Sequence, residues 1–287
     1  MILQKACKLF FSTFATMERE MERFEQAFEE AMRSDVLPMD VMIRYAASAH
    51  GKRLRPRLVF LSAQLFDAVN DSTRRAALFV EMLHTATLIH DDVVDESDMR
   101  RNQPSLYARF DSKLAVLAGD YLLSKAMLLL STPEDDPILQ EMLATMMAMT
   151  EGEVLQIRRQ ETEKREMKDL NQGLSTLEHY LDVIERKTAR LIRACCVGGP
   201  LSVTSHLSPH IFHLVSDFGL NLGLIFQMRD DILDDDDPVT TSLAKQLLPE
   251  YLEKTLKALD ALTPYVVDQK ALSSLCELTV FCAERDH

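Results

Sequence analysis

Two copies of an acidic pattern, DDxxD, have a spacing that could hold metal ions. The first runs from Asp91 to Asp95 and the second from Asp230 to Asp234. On a helix the first and last Asp of the pattern lie one turn apart on one face, and the second Asp flanks them. Crowded carboxylates repel one another unless a cation neutralises them, and Mg²⁺ prefers such oxygen ligands together with substrate phosphates. The candidate ligands of magnesium ions that grip a diphosphate are Asp91, Asp92, Asp95, Asp230, Asp231 and Asp234.

A solvated acidic helix end is the common explanation for a single DDxxD pattern. Here, however, both copies follow strongly apolar, helix-like segments, at 79–90 and at 218–229. Acidic residues at the C-terminus of a helix oppose the helix dipole, so local stability does not account for them. The repetition in one context favours a functional role for both copies.

Basic residues form two short groups that could bind phosphate oxygens. The first is GKRLRPR, residues 51–57, which directly precedes a predicted helix, and the second is Arg100 with Arg101 after the first acidic pattern. Arginine binds phosphate oxygens in a bidentate manner, and lysine supplies a point charge. Each group taken alone is explained as well by a surface patch or by counter-ions for the acids.

The elements that must position these residues are predicted to be helices from end to end. Apolar residues recur at spacings of three and four, and no segment shows sustained alternation. Gly198-Gly199-Pro200 predicts a firm helix end, and the polar stretch 158–173 predicts a frayed end or a surface excursion. The fold class is therefore all-α, with a single domain over residues 1–287. The predicted helices cover about residues 12–33, 38–50, 55–67, 73–95, 111–130, 136–160, 176–198, 207–235, 243–262 and 268–285.

Composition narrows the classes of function. The 287 residues are 47% hydrophobic with 8 Gly and 10 Pro, which favours one sizeable helical core. The 45 acidic and 32 basic residues give a net charge of −13, so no nucleic-acid partner is expected. The five cysteines lack CxxC spacing, which indicates free thiols and a cytoplasmic location. No stretch approaches the roughly 18–20 apolar residues that span a bilayer, and no signal peptide is recognised, so we expect at most peripheral contact with a membrane.

The order of six segments resembles the trans-isoprenyl diphosphate synthases, or polyprenyl synthases, in particular the long-chain enzymes that make octaprenyl-type diphosphates. No single segment is specific, but their combined order and spacing are. The resemblance implies an all-α isoprenoid synthase fold of about ten or more helices around a deep central cavity, a homodimer, and Mg²⁺ as the cofactor with roughly three ions per active site. The segments are GKRLRP (51–56), HTATLIHDDVVDESDMRR (84–101), LAGDYLLSKA (117–126), EGEVLQI (151–157), YLDVIERKTARL (180–191) and FGLNLGLIFQMRDDILD (218–234).

Roles follow from this resemblance, position by position. It makes the six aspartates the ligands of Mg²⁺ ions that bind an allylic diphosphate, and it assigns Arg100 to the same diphosphate. Lys187, Thr188 and Gln227 match residues that line the allylic diphosphate and the nascent cation, with Lys187 counted among the catalytic residues. For His84 a hydrogen-bonded core histidine is the alternative. The pocket for isopentenyl diphosphate matches Lys52, Arg55, His84 and Arg101.

The implied reaction is a condensation of isopentenyl diphosphate with an allylic diphosphate such as farnesyl diphosphate, in trans. Ala86 and Thr87 lie five and four residues before Asp91, where bulky aromatic residues would floor the cavity. Small residues there let the product grow past the farnesyl length in the resembling family, and a long polyprenyl chain commonly serves a respiratory quinone. The alternative is that Ala86 is small because another helix packs against it.

The chain departs from the family pattern in three places, one of which is an extra polar stretch near residues 160–173. Asn102 follows the paired arginines where a Gly is usual. More importantly, a segment near residues 237–243 is missing, including a Gly-Lys pair, and Lys245 could substitute only by proximity. Because of this gap, the alternative that the chain is a non-catalytic subunit of a heteromeric prenyl synthase stays open. A class I terpene cyclase is a further alternative, although the second DDxxD and the GKRLRP segment argue against it.

Overall fold

The computed structural model describes residues 2–48, 51–165, 176–204 and 206–286, with side chains described from residue 17 onward except at 159–165. Within these ranges the chain forms twelve α-helices and one short hairpin, and a π-helical turn, Glu185–Ala189, joins α8 to α9 without a break. The helices are α1 (Ile2–Ala31), α2 (Leu37–Ser48), α3 (Leu54–Gln64), α4 (Asp71–Val94), α5 (Leu106–Phe110), α6 (Ser112–Leu129), α7 (Asp136–Arg165), α8 (Thr176–Ile184), α9 (Arg190–Val203), α10 (Pro209–Asp234), α11 (Pro238–Leu262) and α12 (Gln269–Glu284). The hairpin strands are β1 (Met99–Arg100) and β2 (Gln103–Pro104), paired antiparallel.

Four helices, α3, α4, α9 and α10, form the centre of the bundle. Helix α4 packs against α3, α6 and α9, and α10 packs against α9 and α11. Leu58, Phe79 and Phe218 are among the large side chains fully enclosed there. Burying a phenylalanine side chain contributes about 2–3 kcal/mol. Packing of apolar faces, more than helix propensity, therefore holds these elements in place.

The two helices that carry the acidic patterns begin at capped positions. At α4 the Asn70 side chain accepts the Thr73 N–H at 2.9 Å, and the Asn70 N–H donates back to the Thr73 hydroxyl at 3.2 Å. At α10 the Ser208 hydroxyl accepts from the Ile211 N–H, and Pro209 occupies the first helical position. Such caps fix where a helix begins. Both DDxxD patterns consequently fall at the opposite, C-terminal ends.

The predicted all-α fold is confirmed, but two predicted boundaries are wrong. Helix α9 runs through Gly198-Gly199-Pro200 and ends at Val203. The glycines serve a close helix crossing instead of a helix end, because a Cβ on Gly199 would lie 2.4 Å from the carbonyl oxygen of Val59 on α3. Helix α11 begins at Pro238 and not near 243, because Asp237 caps it by accepting the Val239 N–H.

The structure also bears on the hairpin region, on the polar stretch 158–173 and on the cysteines. The hairpin at 99–104 was not predicted, because strands of two residues are too short to show alternation. In the polar stretch 158–173, residues 158–165 continue α7, and the remainder lies outside the described residues. The described cysteines, Cys195, Cys196, Cys276 and Cys282, are free thiols as predicted.

Helix α10 is long and apolar enough to cross a membrane by length and composition, contrary to the expectation that no stretch would be. A bent pair, α6 with the first part of α7, passes the same test together. In the fold, α10 lies against α9 and α11, and Phe218, Leu222 and Ile225 are buried on it. A core helix of this kind meets the same criteria as a membrane span, so the finding is weak evidence for insertion.

Candidate active site

The first DDxxD pattern occupies the last turn of α4, and its three carboxylates have different surroundings. Asp91 is half-buried, Asp92 is 3% exposed, and Asp95 is exposed as the first residue after the helix. The Nε and Nη2 atoms of Arg100 donate to Asp92 Oδ1 at 2.8 and 2.5 Å. The buried carboxylate is thus held by a cation eight residues further along the chain.

The hairpin after α4 directs the paired arginines to different places. Its two turn residues, Arg101 and Asn102, both have positive φ angles, 49° and 64°. A two-residue turn with this backbone matches the twist of the flanking strands, and Asn tolerates the left-handed region nearly as well as Gly. The departure at Asn102 is therefore accommodated. Arg100 on β1 binds Asp92, and Arg101 at the turn lines the large cavity described below; both also line a small cavity between α4 and the hairpin.

Asp91 has the most perturbed carboxyl group of the first pattern. Burial raises its pKa to about 6, Lys187 opposes this shift, and Glu153 and Asp95 add to it. The Lys187 ammonium lies 2.7 Å from a carboxylate oxygen of Glu153, and it donates to Gln156 Oε1 at 3.1 Å. Lys187 therefore lies between α7 and the end of α4, held in place by two α7 side chains.

The second DDxxD pattern, at the end of α10, has partners from distant parts of the chain. The Arg285 guanidinium, just after α12, donates to Asp230. The Tyr180 hydroxyl donates to Asp231 Oδ2 at 2.6 Å, and Asp234 is exposed as the last residue of α10. Burial raises the pKa of both Asp230 and Asp231, against the lowering effect of these hydrogen bonds.

A short relay connects the second pattern to the π-helical turn. Gln227 Nε2 donates to Asp231 Oδ1 at 2.9 Å, and the Thr188 hydroxyl donates to Gln227 Oε1 at 2.7 Å. Thr188 directly follows Lys187, which faces Asp91. Two consecutive residues of one turn are thus directed toward the two acidic patterns, and this juxtaposition places both patterns beside a common element.

Glycines on α7 and α10 permit a close approach to this turn. A Cβ on Gly152 would lie 2.9 Å from the backbone nitrogen of Lys187, and a Cβ on Gly223 would lie 2.5 Å from Cα of Ala189. Contacts under 3.0 Å are not sustainable for a real Cβ atom, so larger residues would push the helices apart. The turn is held between α7 and α10 because both helices present hydrogen at the contact.

The carboxylates suit a magnesium ion in chemical type, but they are not gathered around one point. Hard oxygen donors whose ionisation is opposed by burial are the kind that a divalent cation stabilises. Among the residues that the structure describes, no three or more His, Cys, Asp or Glu side chains form a ready metal cluster. Instead, Arg100 forms an ion pair with Asp92, and Arg285 forms one with Asp230. In each of these two carboxylates the arginine binds Oδ1.

A cavity of about 900 Å³ opens beside the second pattern, between α1, α3, α4, α10 and α12. Its walls include the four residues assigned to isopentenyl diphosphate: Lys52, Arg55, His84 and Arg101. Burial and the nearby arginines hold the pKa of His84 well below its usual range, so its imidazole is neutral. Burial also lowers the pKa of Arg55, whose Nε is enclosed without a hydrogen-bond partner. The structure therefore brings the four residues together in a cavity that is strongly basic.

Ala86 and Thr87 lie on α4 below the first pattern, but neither lines this cavity or the smaller one of about 40 Å³ between α4 and the hairpin. Ala86 is completely buried in the main core, and the Thr87 hydroxyl donates to the His84 carbonyl at 2.9 Å. Their proposed effect on product length stays a prediction. Lys245 is exposed on α11, and the contact of α11 with the pattern comes instead from Thr241, whose hydroxyl donates to the Asp231 carbonyl at 3.2 Å.

Several side chains at the site were missed by sequence reasoning. Tyr180 and Arg285 bind the second pattern, and Glu81 lines both cavities. Glu81 lies one helical turn before His84, so its face could have been anticipated from spacing. For Arg285 no local signal exists, because its partner is 55 residues away.

Comparison with known proteins gives a consistent picture. A family model described as polyprenyl synthetase matches residues 38–246. The chain is 34% identical over 218 residues to an octaprenyl diphosphate synthase of Escherichia coli, covering 75% of this chain and 63% of the relative. It is 30% identical over 225 residues to heptaprenyl diphosphate synthase component 2 of Bacillus subtilis, covering 78% of this chain and 61% of the relative. It thus spans less than two thirds of the length of these relatives.

A solved structure agrees over nearly the whole length. The polyprenyl synthase from Caulobacter crescentus, complexed with calcium and isoprenyl diphosphate, superposes with a TM-score of 0.78 at 26% identity. The alignment covers 97% of this chain and 98% of that one.

Proposed function

Because the chain belongs to the polyprenyl synthetase family, we propose that it is a Mg²⁺-dependent trans-prenyltransferase that condenses isopentenyl diphosphate with an allylic diphosphate. One observation carries the proposal: two DDxxD patterns flank a common turn, next to a basic cavity of about 900 Å³. The carboxylates suit a metal-bound diphosphate, and the cavity suits a second diphosphate. An enzyme that joins two diphosphate esters needs both sites.

The metal would be held by the two acidic patterns, and the Caulobacter structure, with calcium and isoprenyl diphosphate, supports a divalent cation. When bound, such a cation supplies positive charge that stabilises the departing diphosphate. We assign this role to Mg²⁺, with roughly three ions per active site. The ligands would be Asp91, Asp92, Asp95, Asp230, Asp231 and Asp234.

The side chains of this protein perform the remaining work on the allylic substrate. Lys187, held by Glu153 at 2.7 Å beside Asp91, contributes positive charge where the diphosphate leaves, and Arg100 adds to it. Thr188 and Gln227 are fixed in a relay to Asp231, so their oxygen atoms have defined orientations next to the developing allylic cation. Preorganised dipoles of this type need no rearrangement as charge develops.

The condensation then follows in three steps. The allylic C–O bond breaks, and the diphosphate departs with the bonding electrons. The terminal double bond of isopentenyl diphosphate attacks the allylic cation and forms the new C–C bond. A proton leaves the adjacent carbon, restores a double bond, and passes to an oxygen of the released diphosphate. Lys52, Arg55 and Arg101 hold isopentenyl diphosphate in the basic cavity, where His84 is neutral and can donate one hydrogen bond.

We further propose a long-chain product for a respiratory quinone, formed in the cytoplasm with peripheral membrane contact on release. The names of the relatives from E. coli and B. subtilis, octaprenyl and heptaprenyl synthases, support the length.

We also propose that the protein is a homodimer that associates through α6 and α7. Leu117, Leu128, Met147 and Val154 on these helices expose 52–71% of their surface, which is unusual for a group of large apolar residues. The B. subtilis relative is called component 2, which favours a second candidate in which this chain works with a different subunit. Sedimentation of the purified chain alone, and activity measured alone, separate the two: a monomer that is inactive alone contradicts the homodimer.

The proposed function is tested by incubating the purified chain with farnesyl diphosphate, labelled isopentenyl diphosphate and Mg²⁺, then sizing the extracted products. We expect label in polyprenyl chains well beyond the farnesyl length, and none when EDTA is present. No incorporation, either alone or with a partner subunit, would overturn the synthase assignment. Products that end at the geranylgeranyl length would overturn only the long-chain part.

A further inference from the structure

Arg53 lies in the middle of the basic segment, yet it is used differently from its neighbours. Its Nε and Nη2 donate to the two oxygens of Glu25 on α1, at 3.0 and 3.3 Å, and its Nη1 donates to Glu81 on α4 at 2.7 Å. The guanidinium also lies 4.4 Å from the centre of the Phe28 ring. Only 8% of the side chain is exposed. Arg53 therefore spends its charge and its donors on the protein itself.

The backbone of Arg53 shows why this anchoring matters. Its φ angle is 49°, in the left-handed region, directly before α3 begins. A non-glycine residue in this conformation is strained and persists only where its surroundings enforce it. The reversal directs Lys52, before it, and Arg55, after it, into the same cavity. The three hydrogen bonds of the Arg53 side chain supply the enforcement.

Glu81 is the second half of this arrangement. It is 4% exposed, it lines both cavities, and it lies on α4 one turn before His84. Its negative charge raises the pKa of Arg55 and of Arg101, against the larger lowering effect of burial. A buried carboxylate in a cavity for an anion repels the ligand, so it makes sense only as a counter-ion that keeps several cations close together.

We propose that Arg53 and Glu81 form a positioning pair for the diphosphate of isopentenyl diphosphate. The pair joins the 51–57 turn to α4, so that Lys52 and Arg55 on one element and His84 on the other converge on one ligand. Both residues line the cavity, but the donors of Arg53 are used by Glu25 and Glu81, so we assign the pair to positioning and not to binding the diphosphate. The inference rests on the proposed function, since it specifies how the second diphosphate site is built.

The test separates binding of isopentenyl diphosphate from folding and from binding of the allylic substrate. In Arg53→Met, we expect the KM for isopentenyl diphosphate to rise about tenfold, while the KM for farnesyl diphosphate stays within about twofold. Arg53→Lys keeps the charge but loses the bidentate geometry, so an intermediate rise is expected. The stabilisation of the fold by isopentenyl diphosphate alone, read as the shift in melting temperature, should decrease in the same order.

Two further variants protect the test against misfolding. Glu25→Gln weakens the grip on Arg53 at a half-exposed position, without leaving a buried charge unpaired, and should raise the KM for isopentenyl diphosphate about threefold. Arg74→Met is the matched control, because Arg74 also joins α4 to α1 through a glutamate, at 2.9 Å from Glu20, but does not line the cavity. It should leave both KM values within about twofold.

Each result decides between alternatives. If Arg53→Met and Glu25→Gln leave the KM for isopentenyl diphosphate within twofold of the parent, or raise both KM values equally, the positioning pair is overturned. If the parent chain itself neither binds nor incorporates isopentenyl diphosphate, the proposed function fails, and the inference fails with it. A selective rise that spares Arg74→Met supports the pair.

Discussion

The two DDxxD patterns are identical in sequence and in position at helix ends, but their surroundings differ. At the end of α4, Asp92 is held by Arg100 from the adjoining hairpin. The positive charge of Lys187, in the π-helical turn, acts on Asp91 and lowers its pKa against the effect of burial. At the end of α10, Asp230 is held by Arg285 from the end of α12. The buried aspartate of the first pattern is thus held by a neighbouring segment, whereas Asp230 and Asp231 of the second are held by Arg285 and Tyr180, more than fifty residues away.

The helices below the patterns differ in the same way. Five and four residues before Asp91 stand Ala86 and Thr87, while the equivalent positions before Asp230 are Ile225 and Phe226. Phe226 lines the large cavity, and its ring lies 4.2 Å from the guanidinium of Arg285. One motif therefore specifies carboxylate spacing only, and the volume and charge around it are set by other elements.

The largest expected effect is a loss of activity that is the same for the two patterns. Asp91→Ala and Asp230→Ala should each lower kcat/KM for the condensation by about three orders of magnitude or more, because each removes a metal ligand. Circular dichroism should show both variants folded. A loss below tenfold in either variant would break the symmetry and assign that pattern a structural role.

The next effect concerns the residues below the first pattern. Ala86→Phe should shorten the product toward the farnesyl length while the rate of the first condensation changes little, because a ring there would block elongation. Extracted products sized by chromatography give the measurement, and Val267→Phe, at an exposed position between α11 and α12, is a suitable control. An unchanged product would mean that Ala86 is small only because of core packing.

The partners of the two patterns offer a third comparison, now in stability. Arg285→Met and Arg100→Met each leave a partly or fully buried aspartate without its cation, so we expect the free energy of unfolding in EDTA to fall by about 2 kcal/mol. Removal of residues 285–287 should reproduce the first effect and not the second. Urea unfolding of the four proteins checks this, and equal stability of the truncated and full chains would contradict the role of Arg285.

The smallest expected effect has a size that depends on pH. Folding raises the pKa of Asp91 from its ordinary value to about 6, so the folded chain binds this proton more tightly, and the free energy of unfolding decreases as pH rises toward 6. At pH 7 the full cost is present. Asp91→Asn should therefore stabilise the metal-free protein by about 1 kcal/mol at pH 7, allowing for partial exposure, and by nothing near pH 4.

Urea unfolding in EDTA at several pH values measures this change. Asp95→Asn, at an exposed position in the same pattern, is the control and should alter stability less. A stabilisation of Asp91→Asn that is equal at pH 4 and pH 7 would show that burial of Asp91 is not its cause.

Much of this site could be predicted from local sequence. The apolar segments before each DDxxD pattern indicated the helices, and the order of GKRLRP and its successors indicated the basic residues that line the cavity. The metal-binding chemistry stays a prediction. What depended on backbone conformation could not be predicted. Arg53 and Lys52 are adjacent, similar in charge and both line the large cavity, yet Arg53 has a left-handed backbone and its guanidinium is bound by Glu25 and Glu81.

Contacts between segments that are distant in the chain could not be predicted from the sequence either. Gly199 reads as a helix terminator in GGP, but the close crossing with Val59 decides its role. Tyr180 and Arg285 reach the second pattern across 51 and 55 residues, and their own neighbourhoods carry no sign of it.

The π-helical turn at Glu185–Ala189 makes the chain more sensitive to deletion than to substitution at this place. Such a turn contains one residue more than the α-helical path, and each residue of an α-helix advances the direction by about 100°. Loss of a single residue would turn either Lys187 away from Asp91 or Thr188 away from Gln227, and no side-chain change elsewhere would restore both. Chain length here is constrained more tightly than the identity of any side chain that faces solvent.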